Sequence, residues 1–224
     1  MKRIVTILAI CISTLSMAQK PIEKSIGEFS ELKVYDLIEV ELIKANENKV
    51  VISGKNRSSV LVNNKNGKLK IKMNLEEIFD GNNTTVKLYY TNVDVIDVNE
   101  GALVHSNDKI KQFEINLKAQ EGGKIDVKLN VNYANIKSVT GGVITTDGKS
   151  ENQKISLLTG GVYKGESLKT KNTEVAIRAA GKAYINASKL AEIKIRAGGD
   201  VFIYGDPEYV NESRVFGGRV KRMN

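Results

Sequence analysis

The chain has 224 residues, 34 of them Lys or Arg against 26 Asp or Glu, for a formal charge of +8. A single cysteine and a single histidine exclude thiolate metal sites, histidine-based metal sites and a histidine-centred triad. The basic residues are spread along β-patterned segments such as Lys68-Leu69-Lys70-Ile71-Lys72, without an interleaved aromatic platform. That reads as the solvated face of a sheet and argues against nucleic-acid binding.

Residues 1–18 read as a cleaved secretory signal. Lys2 and Arg3 form a positive start, Ile4 to Leu15 is an apolar run, and Ser16-Met17-Ala18 offers small residues before Gln19. The run is too short for a comfortable membrane span, and no transmembrane segment is expected in the mature chain. The lone Cys11 lies inside this segment after Ile10, not after the small residue a lipoprotein signal requires. Without it the mature chain has no cysteine, and its charge falls to +6, from 32 basic and 26 acidic residues. Its stability must come from burial and hydrogen bonding.

From 22 to 92 the chain reads as strands and hairpins. Leu32-Lys33-Val34, Val40-Glu41-Leu42, Val50-Val51-Ile52, Val60-Leu61-Val62, Leu69-Lys70-Ile71 and Val86-Lys87-Leu88 are β-rich, with turn residues between them. Asn66-Gly67 predicts a tight hairpin, because both residues tolerate positive φ. Leu75 to Phe79 has the length of one helical turn.

From 93 to 224 a glycine-centred unit recurs seven times. Its triplets end at Ala102, Gly123, Gly142, Gly161, Gly181, Gly199 and Gly218, in steps of 21, 19, 19, 20, 18 and 19. Six residues before each end stand Ile96, Leu117, Ile136, Ile155, Val175 and Ile193. Four before stand Val98, Ala119, Ser138, Leu157, Ile177 and Ile195. Two after stand Val104, Ile125, Ile144, Tyr163, Ala183 and Val201; a weaker column four after contains Ser106, Thr146 and Gly165. Alternation of this kind marks strands with one face inward. Twenty extended residues trace about 65 Å, enough for one coil of a β-solenoid and too little for a four-stranded propeller blade. The seventh unit carries Glu212 and Arg214 where earlier units are apolar, as expected of a terminal coil.

The expected fold is therefore all-β: a parallel β-solenoid with 19–20 residues per coil over 93–224. The 22–92 strands supply either its first coils or a cap, and 19–224 is expected to be one domain.

Three features resemble a known family, the putative auto-transporter adhesin head domain, or GIN domain, of exported Gram-negative proteins. Phe29-Ser30-Glu31-Leu32-Lys33-Val34 followed by Val40-Glu41-Leu42 is similar to its opening strand pair. Val86-Lys87-Leu88-Tyr89-Tyr90 leads into the first glycine unit as in the family, and Gly199-Asp200-Val201-Phe202-Ile203-Tyr204-Gly205-Asp206-Pro207 resembles its closing coil. The corners depart from the Ser-Gly-Ala-Gly of many members. The resemblance implies a right-handed solenoid on the envelope side and no established activity. The chain stops at Asn224, just after the seventh unit, which argues against an autotransporter carrying its own barrel.

Catalytic candidates are sparse. Asp94 and Asp97, three apart on a strand, face opposite ways. Glu100 and Glu121 occupy equivalent corner positions and stack as either a cation site or a strained acidic pair. His105 reads as an exposed or hydrogen-bonded loop residue. Sugar binding commonly uses exposed aromatic faces, and here Tyr184, Phe202 and Tyr204 fall at outward positions of the late coils. These three form the candidate binding patch; no catalytic residue, metal ligand or cofactor is expected. The function so read is a non-catalytic envelope binding or structural module, adhesin-like, whose partner is a glycan or an envelope protein. A carbohydrate-active lyase or hydrolase is the alternative, and an oligomer remains open.

Overall fold

A computed structural model describes residues 20–223. The predicted signal segment, with Cys11, lies outside the described residues. The described chain is built of strands and two 3-10 turns, stacked as a parallel β-solenoid of about seven turns.

Five long strands form its body: β9 (Leu103–Ala119), β10 (Lys124–Val139), β11 (Val143–Leu158), β12 (Val162–Ile177) and β13 (Lys182–Ala197), numbered in chain order after the eight shorter strands below. Each pairs in parallel with the next, residue over equivalent residue. Where the alternation breaks the strand bends, and β12 supplies three sides of a coil. In β12, Tyr163 and Gly165 point inward on the first side, Leu168 and Thr170 on the second, and Thr173, Val175 and Ile177 on the third. At each bend two outward positions follow one another: Glu166-Ser167, then Lys171-Asn172. The register slips at the first bend, between Thr145 and Asp147 of β11, which inserts the extra residue that turns the chain. The predicted columns are the core: Ile96, Leu117, Ile136, Ile155, Val175 and Ile193 stack in register and are all buried.

The first four glycine corners are type I′ turns. Glu121 (φ +54°) and Gly122 (φ +74°) are both left-handed, and Gly123 N–H donates to the Gln120 carbonyl at 2.9 Å. The corners stack as well: Gly122 N–H donates to the Thr140 carbonyl one coil on, at 3.2 Å.

The 22–92 strands continue the solenoid at its start. They are β1 (Ile22–Ser25), β2 (Glu31–Val34), β3 (Glu39–Lys44), β4 (Lys49–Gly54), β5 (Val60–Lys65), β6 (Lys68–Met73) and β7 (Thr84–Tyr90), followed by β8 (Val95–Val98). On the first side Val86, Val40 and Val104 extend the inner column; on the third side Leu69, Leu32 and Ile96 do. The coil of β2 and β3 lies between the coil of β6 and β7 and that of β8 and β9, so space does not follow sequence. Antiparallel partners then close the end: β5 on β6, and β4 with β1 beyond β7. Asn66-Gly67 is the predicted two-residue hairpin, with φ of +52° and +73°. The expected helical turn is a 3-10 turn at Leu75–Glu77.

The last described coil comprises β14 (Asp200–Tyr204), β15 (Tyr209–Phe216) and β16 (Arg219–Arg222). Glu212 continues the Ile193 column and Arg214 the Ile195 column; they pair with each other at 3.1 Å. The apolar columns thus end in an ion pair that tolerates water.

Candidate binding surface

The first side of the late coils presents the aromatic patch. Tyr184 alternates with buried Ala183 and Ile185, and Phe202 with buried Val201 and Ile203, so both rings point outward. The parallel register sets Tyr184 directly beside Phe202. Their rings stack with centroids 4.8 Å apart and planes 12° from parallel. Lys164 and Lys221 occupy the same column on either side. The neighbouring column holds Asp200, to which Arg219 donates twice, at 2.8 and 2.9 Å. Arg219 holds the Asp200 carboxyl below the usual range, so this rim stays charged. Tyr204 is also outward but lies in the next column, beside Asn186, and does not stack with the pair. The structure therefore brings two of the three predicted aromatics together.

The corner acids are joined by a residue the sequence reading missed. Tyr35-Asp36-Leu37-Ile38 repeats the type I′ corner without glycine, with Asp36 at φ +60° and Leu37 at φ +61°. Leu37 N–H donates to the Glu100 carbonyl at 3.0 Å, which places Asp36 next below Glu100 in the corner stack. Asp36 is buried and accepts from the Met73 amide at 2.9 Å. Burial, then Asp36, then Glu121 raise the Glu100 carboxyl above the ordinary glutamate range. The arrangement is an acidic stack in which Glu100 holds its proton more tightly than a free glutamate. No group of three or more His, Cys, Asp or Glu side chains suited to holding a metal ion occurs among the described residues.

The sign of this shift fixes a prediction. A carboxyl with a raised folded pKa contributes stability fully below its unfolded pKa and loses it as pH rises through the folded value. Glu100→Gln is therefore expected to raise the thermal midpoint at about pH 8 and to leave it unchanged near pH 3. The gain should stay under about 1 kcal/mol, because the site is partly solvated. Equal effects at both pH values would contradict it.

The remaining candidates make structural contacts with neighbouring side chains. Asp97 is buried on the outward side of β8 and accepts from Lys33 at 2.8 Å, Asn99 at 3.2 Å and Gln120 at 3.3 Å. Asp94 is exposed and capped by Asn92 at 2.9 Å. His105 lies on β9 rather than in a loop, because parallel pairing with β3 starts at Leu103, and its Nε2 is 3.2 Å from Glu39.

A stacked-coil fold whose exposed faces, rather than an enclosed cavity, carry the candidate contacts defines a β-solenoid surface module. The chain belongs to the family described as "putative auto-transporter adhesin, head GIN domain", whose profile matches residues 28–207. No curated protein sequence is significantly similar to it. Among solved structures it is similar to a putative adhesin from Bacteroides fragilis (TM-score 0.83, 15% identity, 92% of this chain and 98% of that one). It is also similar to a putative adhesin from Parabacteroides distasonis (TM-score 0.74, 14% identity, 92% and 98%). A third, from the same organism, is described as a putative lipid binding protein (TM-score 0.66, 15% identity, 92% and 98%). At these identities the likeness establishes the fold. Among the described residues no helix is long and apolar enough to cross a membrane.

Proposed function

We propose that the protein is an exported, non-catalytic module of the cell envelope that engages a glycan or protein partner through the outer faces of a single rigid solenoid. Residues 1–18 serve as its cleaved export signal, and 19–224 form the mature domain. The observation that carries the reading is the outward Tyr184–Phe202 stack, fixed in register by two paired strands and flanked by lysines. Two stacked, half-buried rings give a partner an aromatic edge already ordered before binding, which lowers the entropic cost of association. Tyr204 widens the patch at its edge.

The acids weighed for catalysis support the same reading. Asp97 is in an ion pair with Lys33, and Glu100 is turned toward Asp36 in a corner. A glycan array and an envelope pull-down with the mature protein test the proposal. The expected result is at least one partner, in either assay, whose binding is lost on Tyr184→Ala with Phe202→Ala. Clean negatives in both would leave the solenoid a structural element. Cleavage of any polysaccharide in a substrate panel, abolished by Glu100→Gln or Glu121→Gln, would establish the enzyme instead.

A further inference from the structure

The third side of the middle coils carries a groove that the aromatic patch does not account for. Tyr133, Asn152, Asn172 and Leu190 stack in one outward column over four successive coils. Two residues further along each strand, Asn135, Lys154, Glu174 and Glu192 form the parallel column. Between them runs a cleft of about 320 Å³ along the solenoid axis.

Its chemistry is uneven in an informative way. At one end Tyr133 packs against Phe113, centroids 5.4 Å apart and planes at 51°. Both rings are exposed, Phe113 at 66% and Tyr133 at 44%, so this tilted pair leaves ring surface open to solvent. In the middle Asn172 donates its amide to the Asn152 side-chain carbonyl at 3.0 Å. That bond uses one donor and one acceptor of a two-residue amide ladder. The Asn152 amide N–H₂ and the Asn172 side-chain oxygen have no hydrogen-bond partner among the described residues. At the far end Leu190 is apolar. The charged wall is self-neutralised: Lys154 lies 3.6 Å from Glu174, and Lys194 lies 2.6 Å from Glu192.

We infer that this groove binds an unbranched, uncharged glycan lying along the solenoid axis. Successive coils repeat at about 4.8 Å, whereas an extended peptide advances about 3.3 Å per residue and falls out of step within two coils. One pyranose unit of an extended glycan has nearly the length of one coil. A sugar presents an apolar ring face for Tyr133 and adjacent hydroxyls that both accept from Asn152 and donate to Asn172. Lys154, the one cation among the residues that line the cleft, is paired with Glu174, which disfavours a polyanion. The inference rests on the binding-module reading but not on the Tyr184–Phe202 patch, which lies on a different side of the coil.

Calorimetric titration of the mature protein with size series of linear neutral hexo-oligosaccharides (cello-, laminari- and manno-types) tests it. In one series affinity should rise with length up to about four units, one per coil of the column, and then level off. Tyr133→Ala should weaken that binding by roughly tenfold or more, while Tyr133→Phe, which keeps the ring, should retain it. Asn152→Ala should weaken it as well, and Tyr184→Ala with Phe202→Ala should not. Because these side chains point outward, an unchanged thermal midpoint confirms that the variants fold. The proposal is overturned if no series binds, if only polyuronates or peptides bind, or if Tyr133→Ala is silent. Sugar binding lost in the Tyr184 and Phe202 variant alone would overturn the groove and leave the patch standing.

Discussion

Replacing Gly142 by alanine is expected to cost about 3–5 kcal/mol, whereas the same change at its neighbour Gly141 should cost only about 1–2 kcal/mol. The two glycines are present for different reasons. Gly141 has φ +71° and open space where a Cβ would stand, so alanine there meets only the left-handed backbone penalty. A Cβ on Gly142 would lie 2.3 Å from the Ala119 carbonyl oxygen and 2.5 Å from its carbon, atoms of the coil below. Neither can move without parting the parallel ladder. Urea denaturation of the two variants measures the difference, and equal losses would show that the corners are held by turn conformation alone.

The second large effect lies in the core. Tyr163 takes the inward position that Ile144 and Ala183 hold in adjacent coils, and it is fully buried. Its hydroxyl bonds Thr146 at 2.6 Å and accepts from the Gln153 amide. Burial pushes that hydroxyl far above its ordinary pKa, so it stays neutral. Room for the ring comes from Gly165, where a Cβ would stand 2.2 Å from the tyrosine oxygen. Tyr163→Phe should cost about 1–3 kcal/mol by stranding Gln153 and Thr146. Tyr163→Ala should cost about 3–5 kcal/mol through the added cavity. Gly165→Ala should be severe in the native background and mild beside Tyr163→Leu, since the shorter side chain frees the space. A double-mutant cycle reads this coupling directly; additive losses would contradict it.

These examples show what the sequence made legible. Columns such as Ile96 to Ile193 could be read because parallel stacking turns a local period into a spatial one. Gly165 appeared only as a gap in a weak column; its meaning depends on the direction Tyr163 takes, which no period encodes. The corner at Asp36-Leu37 was invisible because leucine occupies a position that elsewhere requires glycine. Its side chain lies over Gly101, where a Cβ would meet it at 2.5 Å. The interleaving of the 31–44 coil between later ones depends on long-range pairing and left no mark in the period. Nor could 22–92 be assigned as coil or cap, since its hairpins supply both.

The binding surfaces divide in the same way. Tyr184 and Phe202 could be placed outward by alternation alone, and their stacking follows from the register. Tyr204 is outward by the same alternation, but two residues along a strand is one column across. The groove had a signal that went unread: Tyr133, Asn152, Asn172 and Leu190 each stand nine residues before a triplet end. An aromatic ring, two amides and a leucine do not look like one column until the coils are stacked.

The solenoid is proposed as a rigid scaffold whose outward Tyr184 and Phe202 bind a partner while its core only supports them. The most direct measurement is the dissociation constant for a partner that the array or pull-down identifies, other than the linear neutral oligosaccharides assigned to the groove, taken for the native protein and for Tyr184→Ala with Phe202→Ala, alongside both thermal midpoints. Affinity weakened roughly tenfold or more at an unchanged midpoint is the expected result. Unchanged affinity, or a loss that merely follows a lowered midpoint, would contradict it.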